Sequence, residues 1–304
     1  MLASLLVVLP VFGLIALGYT ARWTKLVRET TGEGLSDFVF VLAVPCLLFR
    51  TLAKADIPAS QPWGYWIAYF SGLAIVWALA MLVARRVFSR RGPELVVSGF
   101  AAAQSNTVFV GIPMILKAYG EAGAVPLGLL LAVHLPVTMT VATLLAEGRA
   151  TSLGLLARRL FTNPIILGIL LGSAARPFVA LIPAPAWTII DLIAGAAVPC
   201  ALISLGIALR RYGVSSWGLP AVLSGLKLGL HPLIVYLLAT KLFQMPPHWS
   251  GVAVLFAACP CGINAYLFAE RYRQGVADAS SAIALSTALS LVTTAAWLTW
   301  LGVG

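Results

Sequence analysis

The chain has 304 residues, 61% of them hydrophobic and 10% charged, and carries a net charge of +10. Soluble domains run nearer half apolar and a quarter charged, so this composition excludes a soluble globular protein and describes an integral membrane one. On a soluble chain the positive charge would suggest a nucleic-acid partner; here the basic residues fall in short loops, where they report topology, and no nucleic acid is expected.

A membrane-spanning helix takes about 20 apolar residues. The apolar runs are long and continuous, without the ten-residue alternation of a membrane barrel, so helices are expected throughout. In chain order the predicted spans are about 3–22, 35–54, 63–87, 94–117, 123–146, 161–181, 186–209, 217–241, 249–270 and 278–302. The first lacks the basic leader and small-residue cleavage site of a signal peptide and reads as a span. Alternate loops separate the charges. Arg22, Lys25, Arg28, Arg85, Arg86, Arg90, Arg91, Arg149, Arg158, Arg159, Arg210, Arg211, Arg271 and Arg273 fall in odd loops; Arg50, Lys54, Lys117, Arg176 and Lys241 fall in even ones. The positive-inside bias then puts the odd loops in the cytoplasm and both termini outside, as for a multi-pass protein of the bacterial inner membrane.

Two separate matches share one offset. "LPVFGLIALG" at 9–18 and "NPIILGILLG" at 163–172 keep Pro and Gly 154 residues apart, and "VPCLL" at 44–48 matches "VPCAL" at 198–202 at the same spacing. This implies two five-helix halves, 1–150 and 151–304. Five is odd, so the second half enters from the opposite side and the repeats are inverted, an architecture common among secondary transporters.

Span 4 contains "AAAQSNTVFVGIPMI" at 101–115, a polar cluster and a Gly/Pro break inside an apolar run. The offset carries Ser105 and Asn106 to 259–260, inside "AACPCGINAYLFAERY" at 257–272, which again has Pro, Gly and Asn in an apolar setting. Spans 4 and 9 are therefore the expected interrupted pair. Open backbone at membrane depth is tolerated only where protein buries it or a cavity needs it. The second half of each helix would start near the midplane and aim its free N–H groups at one cavity, which favours an anion, particularly a carboxylate.

"SNTVFVGIP" and "CPCGINAYLFAERY", together with "LPVFGLIALGY", "VPCLLF" and "NPIILGILLG", resemble the auxin efflux carrier family, which includes plant auxin exporters and bacterial carriers for malonate and malate. The likeness runs over nearly the whole chain and rests on the order and spacing of the motifs. It implies an all-α, ten-helix fold with crossed, broken helices 4 and 9, bile acid/sodium symporter-like, divided into a scaffold and a transport part. It also implies transport of a small organic anion by alternating access. One departure is Ser105, where plant members often carry Pro; a Ser breaks a helix less firmly, so the bend leans on Gly111 and Pro113.

Asn106 and Asn264 are the leading substrate ligands, because an amide donates to a carboxylate without burying a counter-charge. The competing reading makes them caps or helix glue. Gln104, Ser105 and Thr107 flank the first break, and Pro260 and Cys261 form the second. Pro45 and Pro199 occupy matching places in spans 2 and 7, either as ordinary kinks or as walls of the site. Asp191 is read as the carboxylate inside span 7, about 8 Å from its end. His231 lies at similar depth in span 8, so a proton-carrying Asp191–His231 pair is one reading and a water-exposed interfacial Asp the other. Lys227, one turn before His231, either neutralises the substrate or Asp191 or extends its stem to the interface. His134 in span 5 reads as packing or as a further charge-coupling group.

Coupling to protons through these groups, coupling to sodium as in the bile acid symporters, and drive by membrane potential alone are all open. The potential is worth about 2.3 kcal/mol per charge per 100 mV. Sodium suffers from the lack of a carboxylate near the crossing. The Cys-Pro-Cys at 259–261, with Cys46 and Cys200, suggests a soft-metal path, and Cys261 with His231 or His134 an intramembrane enzyme. Both rank below a carrier, and no cofactor or resident metal is expected. Substrate identity, direction and oligomeric state, a homodimer among the options, are not fixed by the residues.

Overall fold

The computed structural model describes residues 2–55, 63–148 and 161–303, with Gly154 and Arg158. The proposed boundary between the halves at 150/151, and Arg149 and Arg159 of the charge count, lie outside the described residues. Among those described, every regular element is a helix, and the one β-type contact is an isolated antiparallel bridge between Ser105 and Cys261. In order they are α1 (Leu2–Trp23), α2 (Glu29–Phe38), α3 (Val44–Lys54), α4 (Trp63–Arg86), α5 (Gly92–Ala103), α6 (Ile112–Tyr119) and α7 (Ala124–Glu147). There follow α8 (Pro164–Ala175), α9 (Ala184–Leu209), α10 (Gly218–Gly225), α11 (His231–Tyr236), α12 (Pro247–Ala258), α13 (Asn264–Tyr272) and α14 (Val276–Trp300).

Among the described residues, eight stretches are long and apolar enough to cross a membrane. The difference from ten has a physical origin in the interrupted segments. Gly92–Ala103 and Pro247–Ala258 have 12 residues each. At 1.5 Å per residue, each reaches only about 18 Å of a hydrocarbon layer about 30 Å thick.

Wide π-type turns join several helices: Val39–Ala43 between α2 and α3, Thr107–Gly111 before α6, and Leu226–Leu230 between α10 and α11. Each is followed within two residues by a proline, namely Pro45, Pro113 and Pro232. Proline offers no N–H and its ring crowds the carbonyl four residues back, so the turn widens. The carbonyl that Pro232 leaves unmet is that of Leu228, and the Trp297 indole N–H donates to it at 3.1 Å.

Two packed groups make up the molecule. In one, α1 lies along α9 and α3 along α8. The backbones approach closely at glycine: a Cβ on Gly172 would stand 2.7 Å from the Phe49 carbonyl oxygen, one on Gly168 2.6 Å from that of Pro45, and one on Gly18 would strike the Ile203 backbone. In the other group α4, α6, α7, α11 and α14 pack against α12, and α5 and α10 pack in turn on α4 and α14. Residues Trp249–Ala258 are buried on every side, and so are Val96–Ala103 of α5. A helix that is apolar all round belongs in the middle of a bundle, and these two broken helices occupy it.

Candidate functional site

The two breaks meet. α5 stops at Ala103 and Gln104 turns to an extended conformation; α12 stops at Ala258 and Cys259 does the same. Backbone left open there is closed across the crossing. The Asn106 N–H donates to the Pro260 carbonyl at 2.8 Å, and the Gly262 N–H donates to the Gln104 carbonyl at 2.9 Å. The Cys261 N–H donates to Ser286 Oγ at 2.9 Å, and the Ser105 N–H to His134 Nε2 at 3.4 Å. The bridge is antiparallel, so the segments run oppositely where they touch. Glycine at 262 permits this approach, since a Cβ there would lie 3.0 Å from the Ser105 carbonyl oxygen.

A cavity of about 100 Å³ lies against both breaks. Gln104, Ser105, Asn106 and Thr107 line it from one side and Gly262 and Asn264 from the other. Neither helix start facing it has a side-chain cap; the Thr107, Ala265 and Tyr266 N–H groups donate to the Ser105, Gly262 and Ile263 carbonyls, which leaves those of Val108, Phe109 and Asn264 for a ligand. The Asn106 side-chain nitrogen is buried without a hydrogen-bond partner, as is the Ser105 hydroxyl. The Gln104 side-chain oxygen accepts from Thr138 at 2.8 Å, which fixes its amide. Amide and backbone donors with no carboxylate among the lining residues make a cavity suited to an anionic acceptor.

The structure places several of the expected site residues away from this cavity. Pro45 and Pro199 do not line this cavity; the proline that does is Pro136 of α7. Pro45 instead takes the start of α3, and its backbone packs against Gly168. Asp191 does not pair with His231. It is half exposed, and its carboxylate meets Arg50 at 3.4 Å. The two lie in a separate cavity of about 410 Å³ with Thr51, Lys54 and Glu121. Equal depth in two spans says nothing about which way each side chain points, and α9 turns Asp191 toward α3. Lys227 therefore neutralises no Asp191, and it does not extend to the interface either: it is wholly buried, with its Nζ on the Ala257 carbonyl and 3.3 Å from His231 Nδ1. Pro260 and Cys261 hold the crossing rather than the cavity wall.

Two residues escaped the sequence reading. Asn163 lines the cavity while its side chain caps α8 by accepting from the Ile165 and Ile166 N–H groups. Its signal was the Asn-Pro at the head of a repeat motif. Asp278 is buried, bound by Arg90 at 2.6 Å and by the Ser216 hydroxyl at 2.7 Å. The buried thiols point at backbone carbonyls, Cys259 at Leu255 and Cys261 at Gly262. Among the described residues no cluster of three His, Cys, Asp or Glu is set to hold a metal.

A second space of about 280 Å³ adjoins the cavity, sharing Phe40, Phe109, Ile263 and Leu267 with it. Phe40 and Phe109 meet edge to face at 5.2 Å. Its mouth carries Glu29, Glu33, Asp37 and Arg211, beside Tyr212, whose phenol burial pushes up to about 12 while Arg211 pulls it down.

Helices of this length and hydropathy put the protein in a membrane as a multi-pass chain, and a polar cavity at two paired helix breaks is what a carrier requires and a purely structural bundle does not. That defines a membrane transporter. The chain belongs to the membrane transport protein family, whose profile matches residues 4–152 and 149–298; this is the auxin efflux carrier family that the motifs resemble. It is 32% identical over 300 residues to a protein of Rhizobium meliloti named "Putative malonate transporter", covering 94% of this chain and 92% of that one. It is 29% identical to an "Uncharacterized transporter" of Methanothermobacter thermautotrophicus over 95% and 96% of the two chains. A "Lysosomal cholesterol signaling protein" of Mus musculus is 25% identical, and there the match spans only 37% of the longer relative. The chain is a transporter and not an enzyme.

Proposed function

We propose that the protein is a secondary transporter of a small organic anion, a dicarboxylate of the malonate class, working by alternating access around the crossing of the two breaks. The observation that carries this is the Asn106 amide nitrogen, buried without a partner beside two uncapped helix starts. A buried donor left unmet costs about 1–3 kcal/mol, and a carboxylate oxygen is the acceptor that removes the cost without adding a cation to the membrane. The name of the Rhizobium relative agrees in chemical class.

In this reading residues 1–150 and 151–304 are two inverted five-helix repeats forming one transport unit in a bacterial inner membrane, with both termini outside. Support comes from an exchange of contacts. Gly18 packs on the backbone of Ile203 and Gly172 on that of Phe49. A shift of 154 residues turns one pair into the other. The Phe40–Phe109 contact then separates the substrate cavity from the cytoplasmic vestibule, and one group of helices rocks against the other to open it.

The test is uptake of labelled malonate into proteoliposomes, with and without a pH gradient or an imposed potential. Wild-type protein should concentrate it, and Asn106→Ala or Asn264→Ala should lose at least tenfold in rate, the factor for about 1.4 kcal/mol of lost binding. If malonate and other small carboxylates stay outside under every gradient, the anion reading is wrong.

A further inference from the structure

Anion binding at the breaks leaves Lys227 unused. It sits in the wide turn Leu226–Leu230 and is fully buried. Its nitrogen donates to the carbonyl of Ala257, in the last turn of α12, where a broken helix presents its negative end. The titratable groups around it are His231 on its own segment, Tyr69 of α4, His134 of α7, and Cys259 and Cys261 of the break. No carboxylate is among them. The buried carboxylate elsewhere in the described residues, Asp278, is held by Arg90 and Ser216. An ammonium so placed is expensive to keep charged while the cavity is empty.

The same groups run to the cavity. Lys227 reaches His231, whose ring lies 5.7 Å from that of Tyr69. The Tyr69 oxygen lies 2.9 Å from His134 Nδ1, and His134 Nε2 accepts the N–H of Ser105, which lines the cavity. Accepting a backbone N–H fixes His134 as the neutral imidazole with its proton on Nδ1, since a doubly protonated ring has no acceptor to offer. His134 is thereby committed to positioning the break. His231 Nε2 has no partner, but a second positive charge 3.3 Å from the Lys227 nitrogen would be opposed by the first. The amine is left as the group able to change charge.

We propose that Lys227 is the proton-coupling residue: its amine takes up one proton as an anion enters the crossing cavity and gives it back as the anion leaves, making the carrier a proton–anion symporter. The inference rests on the anion reading above. Only an N–H bond forms and breaks, and the proton comes from and returns to water. Anion and proton favour each other because each lowers the cost of burying the other's charge in a low dielectric, and that coupling is reciprocal by thermodynamic linkage.

The experiment is calorimetric titration of malonate into the purified full-length protein, in buffers of different ionisation enthalpy, where malonate is fully ionised. Wild-type protein should take up protons, approaching one per malonate on the alkaline side. Its malonate affinity should fall about tenfold per pH unit there, as one linked proton requires. Lys227→Arg keeps the charge but cannot release it, so it should bind malonate with no proton uptake and a flat pH profile. In proteoliposomes its accumulation should follow membrane potential and no longer the pH gradient. Wild-type binding without proton uptake, or equal uptake in wild type and Lys227→Arg, overturns the inference while leaving the anion carrier standing. Should Lys227→Arg fail to fold, the wild-type profile decides by itself, because an affinity flat with pH refutes coupling. Failure of wild-type protein to bind any small carboxylate overturns both readings.

Discussion

Gly262→Ala probes the crossing with a single methyl group. The added Cβ would lie 3.0 Å from the Ser105 carbonyl oxygen and 3.1 Å from its carbon, both backbone atoms that cannot swing aside. Relief requires the two breaks to separate by a few tenths of an ångström, which stretches the 2.9 Å bond from Gly262 to Gln104 and the 2.8 Å bond from Asn106 to Pro260. Each such bond is worth about 0.5–1.5 kcal/mol net, and one lost where no water enters leaves a donor and an acceptor unmet at about 1–3 kcal/mol. We expect Gly262→Ala to cost about 2–3 kcal/mol, from two lengthened bonds or one broken one. Reversible unfolding in mixed detergent micelles measures it. Gly13→Ala is the control: that glycine is exposed on α1 and nothing stands within 4 Å of its Cβ, so the change should be neutral or stabilising by up to about 1 kcal/mol. If both variants unfold alike and transport alike, the hydrogen bonds between the breaks do not hold the site together.

Three further outcomes follow from the same geometry. Asp191→Asn should leave malonate uptake unchanged and cost less than about 1 kcal/mol, since its pair with Arg50 is open to solvent; loss of most uptake would restore a coupling role to Asp191. Asp278→Ala should cost about 1–3 kcal/mol in the unfolding assay, because Arg90 and Ser216 lose a buried acceptor although Arg90 keeps Glu94 at 3.0 Å. Gly18→Ala and Gly172→Ala, whose Cβ atoms would strike the backbones of Ile203 and Phe49 harder than that of Gly262→Ala would strike Ser105, should each cost about 3 kcal/mol or more, Gly18→Ala the more of the two. A large cost at one and none at the other would contradict the inverted-repeat reading.

The legible part of this fold was the part in which local chemistry conflicts with lipid. Gln104, Ser105, Asn106 and Thr107 cannot face hydrocarbon, so an interruption of span 4 could be read without its partner; the bend expected at Gly111 and Pro113 falls instead at 104–106, and the helix runs on from Thr107 through Pro113. The partner was legible only through the 154-residue offset, which sets Asn106 opposite Pro260; those two residues share a backbone hydrogen bond. What stayed hidden depends on the angle of a side chain about its helix axis. Asp191 and His231 lie at matching depths, yet one faces Arg50 and the other Lys227. Pro45 and Pro199 match in the repeat, yet Pro136 reaches the cavity. The burial of Asp278 depends on Arg90, 188 residues away, and no local pattern announces it.

Depth comes from counting residues along a span, whereas facing direction comes from packing, and a membrane weakens the sequence signal for packing because lipid is as apolar as protein. Small residues partly restore it. Gly18, Gly168 and Gly172 mark faces where backbones touch; the offset matched Gly18 to Gly172, but a matched pair of glycines does not say which helix each one meets. The site's own glycine carries the same message. Gly262 has no left-handed φ and stands where a Cβ would crowd the Ser105 carbonyl, so a glycine inside an apolar break signals the approach of another chain segment, here the segment that brings Asn106.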